Sequence, residues 1–84
     1  MINEINTNTV TFYEGSYQYN SIETELNISE DFVEMKLAQQ IEERNSTEYW
    51  AEVVQDGIAT RYTLDYGKGL VKGIKYNALT LDKI

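Results

Sequence analysis

Between the runs EYWAEVVQ and IATRYTLDY stand Asp56 and Gly57, and no other dipeptide in this chain constrains the fold as tightly. A two-residue type I′ turn needs positive φ at both central positions, and Asp-Gly meets that need at little conformational cost. Counting outward from the turn pairs Gln55 with Ile58, Val53 with Thr60 and Glu52 with Arg61. On that register Tyr49, Ala51, Val53, Ile58, Tyr62 and Leu64 share one face, expected to meet a helix. Trp50, Glu52, Val54, Arg61 and Thr63 share the other, which is only half polar.

The other elements follow from periodicity. Residues 8 to 13, NTVTFY, alternate with Val10 and Phe12 on one side and read as a strand, with a turn at Gly15 and Ser16. From Tyr17 the chain is extended again, and the alternation from Ile22 to Ile28 places Ile22, Leu26 and Ile28 inward with Glu23 and Glu25 outward. At a strand rise of about 3.3 Å per residue, those two carboxylates are expected about 7 Å apart on the solvent face. At Ser29 the period changes. Val33, Leu37 and Ile41 recur every four residues as one helical stripe, which Phe32, Met35 and Ala38 widen. Asn27 or Ser29 serves as N-cap, Glu30 and Asp31 suit the positive first turn, and Asn45 ends the helix after Arg44. Gly67, Lys68 and Gly69 form a turn, and Leu70 to Leu81 is a last strand, bulged or bent at Gly73. The expected fold is α+β, with elements in the order ββαβββ: an antiparallel sheet carrying one helix on a face.

With 84 residues and no linker, proline or repeat, the chain is expected to form one domain over residues 1–84. It lacks the composition of a secretory leader or a membrane span, so the expectation is a cytoplasmic protein that does not enter a membrane. There is no histidine and no cysteine, which removes the usual general base, thiol nucleophile and soft metal ligands. Paired carboxylates alone need a concave site that a sheet with one helix does not readily supply. The expectation is therefore a protein that is not an enzyme, with no cofactor and no metal.

The stretch SIETELNISEDFVEM, residues 21 to 35, holds five carboxylates and no lysine or arginine. Residues 1 to 60 carry twelve acids against Lys36 and Arg44, whereas residues 61 to 84 carry Asp65 and Asp82 against five bases, within a total net charge of −7. Direct nucleic-acid binding is disfavoured, because affinity for a polyanion comes chiefly from lysine and arginine. Run in reverse, the same physics suits a spaced carboxylate surface to a basic groove built for DNA or RNA. Candidate partner-binding residues are Glu23, Glu25, Glu30, Asp31, Glu34 and Glu42. The last three of the helix, Asp31, Glu34 and Glu42, are expected along one flank, and all six join into one surface if strand and helix pack as neighbours.

Tyrosine adds to this set. There are seven tyrosines, and FYEGSYQYN mixes Tyr with Ser, Gly and Asn as a paratope does, so Tyr17 and Tyr19 are further candidates while Tyr49 and Tyr62 are expected in the core. In composition over its whole length, the chain resembles the small acidic inhibitors that bacteriophages and mobile elements direct against host DNA-handling or defence proteins. The resemblance is one of class and implies a protein partner with a basic surface. The alternative is an assembly subunit that homodimerises or pairs through the hairpin face, centred on Trp50, and an edge strand.

Overall fold

A computed structural model describes residues 7–46, 48–65 and 67–84; Tyr66, one of the seven tyrosines, and Glu4, one of the acids, lie outside them. The elements are β1 (Asn8–Glu14), β2 (Tyr17–Thr24), α1 (Glu30–Arg44), β3 (Tyr49–Gln55), β4 (Ile58–Asp65) and β5 (Gly69–Asn77). They form one antiparallel sheet in the order β2-β1-β3-β4-β5, with α1 packed over β3, β4 and β5. This is the α+β fold expected from the sequence, with its ββαβββ order.

The hairpin has the register that its turn demands: Gln55 opposite Ile58, Val53 opposite Thr60, Glu52 opposite Arg61. Asp56 and Gly57 both have positive φ, at 55° and 78°. Tyr49, Ala51, Val53 and Tyr62 are buried under the helix together with Val10 and Phe12 from β1. Val33, Leu37 and Ile41 supply the helix side of that core, each burial stabilising the fold by about 1.5–3 kcal/mol. Ser29 is the N-cap, its hydroxyl accepting from the Phe32 amide at 3.1 Å, and Asn45 closes the helix in the left-handed region.

Four sequence expectations are corrected. Leu26 is 75% exposed rather than inward: β2 ends at Thr24, where the Thr24 hydroxyl accepts from the Leu26 amide and bends the chain out of strand geometry. Glu25 therefore sits in that bend and does not continue the strand spacing of Glu23. Met35 is half exposed and Ala38 is exposed, because the core needs only the narrow stripe of Val33, Leu37 and Ile41, with Phe32 at its side. The last strand stops at Asn77 instead of Leu81, since the Asn77 side chain accepts from the amides of Leu79 and Thr80 and turns the chain.

The turn sends the tail back along β5. Lys83 bridges Tyr76, the Ile84 amide donates to the Lys75 carbonyl at 3.1 Å, and the Asn77 amide donates to the Asp82 carbonyl at 2.9 Å. The expected bulge at Gly73 is present: the β4–β5 register shifts between Thr60 and Tyr62, and a Cβ at Gly73 would stand 3.3 Å from the Arg61 carbonyl.

Candidate partner-binding site

The acidic candidates are divided by the sheet order. Glu23 is opposite Thr9, which is opposite Val54, so its side chain belongs to the sheet face away from α1. Glu25 lies at the end of β2, on the outermost strand. The helix acids lean the other way, toward β4 and β5. Glu30 accepts from Lys72 Nζ at 2.9 Å and from the Tyr62 hydroxyl at 3.1 Å. Glu34 reaches within 3.5 Å of where a Cβ at Gly69 would stand, and Glu42 borders a hollow of about 310 Å³ beside Leu64. Asp31 is exposed on the outside of the first turn.

Strand and helix are thus not neighbours on the side where their acids stand, and the six carboxylates do not join into one surface. Glu30 is also engaged: its bonds to Lys72 and Tyr62 hold its carboxyl below the usual carboxylate range, and they raise the Lys72 ammonium. The charge asymmetry of the sequence instead becomes an asymmetry across the sheet. β1 and β2 carry Glu14 and Glu23 and no base, while β5 and the tail carry Lys72, Lys75 and Lys83.

The two tyrosine candidates separate as well. Tyr17 is 68% exposed at the start of β2. Tyr19 turns inward, packing against Phe12 and edge-on to Tyr49 at 5.4 Å between ring centroids. The reason is a bulge: Phe12 pairs with Asn20 and Tyr13 with Gln18, which leaves Tyr19 as the extra residue and changes the parity of the strand. Its hydroxyl is buried and has no hydrogen-bond partner among the described residues. Burial first, then the neighbouring Tyr49, pushes its pKa up to about 12.

What the fold does assemble is on the face that α1 leaves open. Tyr13 and Trp50 are direct partners across β1 and β3, and their rings stack with centroids 4.1 Å apart and planes 6° from parallel. The Arg61 guanidinium lies over the other side of Trp50, 3.7 Å from its centroid. Trp50 is further fixed by its Nε1, which donates to the Gly15 carbonyl at 2.7 Å. Glu52 faces Arg61 across the hairpin and accepts from the Tyr76 hydroxyl. Burial raises the Glu52 carboxyl, with Arg61 opposing, and burial together with Glu52 raises the Tyr13 phenol. Thr11 and Ser21 bond through their hydroxyls at 3.2 Å beside this group. Among the described residues, no helix or second sheet covers the face.

The hairpin register already put Trp50, Glu52 and Arg61 on one face. Tyr13 enters through the β1–β3 pairing, which no local signal in the sequence specifies, and Tyr76 through the β4–β5 pairing, whose turn the glycines of 67–69 mark but whose register past the bulge they do not. The alternation of Tyr13 against Phe12 shows that Tyr13 points outward, but not that Trp50 stands beside it.

Among the described residues, no three acidic side chains converge in a way that could hold a metal ion, and no helix is long and apolar enough to cross a membrane. Family models, curated proteins and solved structures give no match to this chain. Its class rests on fold and surface: an α+β sheet domain with one face under a helix and the other an aromatic and charged platform.

Proposed function

We propose that this chain is a small non-catalytic binding protein that engages a protein partner through the open face of its sheet. The observation that carries the reading is the column of Tyr13, Trp50 and Arg61, three residues of the types that dominate binding energy at protein interfaces. Each is held before any partner arrives. Trp50 is fixed on both ring faces and at its indole nitrogen, which lowers the ordering cost of association. Glu52 and Tyr76 add a polar border of the kind that surrounds such a centre. The net charge of −7 favours a partner with a basic surface by electrostatic steering.

The test is affinity enrichment with the intact chain, Trp50→Ala and Glu42→Gln as parallel baits, alongside sedimentation equilibrium for self-association. Proteins retained by the intact chain and Glu42→Gln but lost with Trp50→Ala support the reading, as does a dimer lost with Trp50→Ala. Identical retention and a monomeric state for all three would remove it.

A second reading, that the chain occupies the cationic groove of a nucleic-acid-binding protein, is favoured by one observation. From residue 8 to residue 35 there is no lysine or arginine, and Glu23, Glu25 and Asp31 in that span are exposed. Its expected signature is release of basic proteins from DNA-cellulose by the intact chain, weakened by Glu→Gln changes at those three positions and by salt.

A further inference from the structure

We propose that the free edge of β2 is a second binding site, one that accepts an extended protein segment of alternating basic and apolar side chains as a sixth strand. The two edges of the sheet are unlike. Along β5 the tail occupies the edge at Lys75, Tyr76 and Asn77. Along β2, from Tyr17 to Thr24, no strand lies on the outer side among the described residues. Unpaired edge backbone is a template for an incoming strand, with hydrogen bonds supplying affinity and alternate side chains supplying selectivity.

The two faces of this edge define the selectivity. Because α1 packs over β3, β4 and β5, the helix-side face of β2 borders an open hollow of about 340 Å³ whose lining includes Ile22, Leu26, Ile28 and Phe32. A strand laid beside β2 turns every second side chain toward that hollow. Its intervening side chains fall on the opposite face, where Glu23 stands, with Glu25 in the bend beyond. No base within residues 8 to 35 competes for those carboxylates. Charge complementarity therefore selects a cationic segment, and the hollow selects an aliphatic residue at alternate positions. Glu23 shares the open face of the sheet with the Trp50 column, but the site uses none of Tyr13, Trp50 and Arg61, which stand on β1, β3 and β4.

The experiment is NMR titration of the isotope-labelled full chain with an acetylated Lys-Val-Lys-Val-Lys peptide. Three control peptides are Lys-Gly-Lys-Gly-Lys, Glu-Val-Glu-Val-Glu, and the Lys-Val peptide with alternate backbone nitrogens methylated. Expected are amide shifts concentrated in residues 18–28, and binding that is lost with backbone methylation or with glutamate in place of lysine and weakened with glycine in place of valine. Glu23→Gln with Glu25→Gln weakens the Lys-Val peptide about fivefold, both side chains being exposed. Trp50→Ala, which removes the open-face column, still gives peptide shifts in residues 18–28, so failure here and failure of the open-face reading are told apart. The proposal is overturned by absence of shifts at about 1 mM peptide, by shifts confined to the Trp50 face, or by equal binding of the methylated peptide.

Discussion

At the scale of single residues, Trp50 and Glu52 show how one face of a hairpin concentrates both packing and charge. Trp50→Ala removes a stacked ring, a cation–π contact and the bond to the Gly15 carbonyl at once. For a half-buried tryptophan the expected loss is about 2 kcal/mol in urea unfolding, below the roughly 3–5 kcal/mol of a core site. Arg61→Lys keeps the charge but not the planar overlap, and the expected loss is about 0.5–1 kcal/mol. Glu52 and Glu30 titrate in opposite senses. Burial raises Glu52 above the ordinary 4.5, so the native state holds this proton more tightly than the unfolded chain. Its contribution is favourable below the ordinary value and is lost as pH rises through the raised one. The hydrogen bonds from Lys72 and Tyr62 lower Glu30, whose contribution is present above the ordinary value and lost as pH falls through the lowered one. Melting temperatures between about pH 3 and pH 7 are expected to show Glu52→Gln removing the decline above the ordinary carboxyl value. Glu30→Gln is expected to remove the decline below it.

At the scale of elements, what the sequence makes legible is what a short window specifies. A turn needing positive φ twice announced the hairpin, a four-residue apolar spacing announced the helix, and both register and helix ends agree with the structure. A period carried across a local event misplaced Leu26 past the Thr24 bend and ran the last strand through the Asn77 turn, and Tyr19, a candidate on composition alone, is turned inward by a bulge that composition does not show. The candidate surface was half legible for the same reason. Trp50, Glu52 and Arg61 share a hairpin, but β1 reaches β3 across the helix in sequence, and without that pairing neither the Tyr13 stack nor the separation of the acids can be read. Two substitutions check the local signals. Gly57→Ala meets no atom within 4 Å, so its cost is the strained φ alone, about 1 kcal/mol. Ser29→Ala removes the cap bond to Phe32 and is expected to cost about 1 kcal/mol by urea unfolding.

At the scale of the whole molecule, the order β2-β1-β3-β4-β5 ranks the strands by how many neighbours hold them. β1, β3 and β4 are paired on both sides, and β3 and β4 are also covered by α1. Hydrogen exchange is expected to be slowest in the paired amides of β3 and β4, then β1, and fastest in β2 and the segment after Asn77. Equal protection of β2 and β3 would contradict this ranking. The order also turns a polarity along the chain into one across the sheet, from an edge without bases to an edge that gathers lysines. A single ring reports on the open face, since Trp50 is the only tryptophan in the chain. Its emission arises at the column it shares with Tyr13 and Arg61, with no second indole to dilute the signal. A shift in wavelength or a change in quenching by iodide on adding a candidate partner would therefore locate the contact without any label.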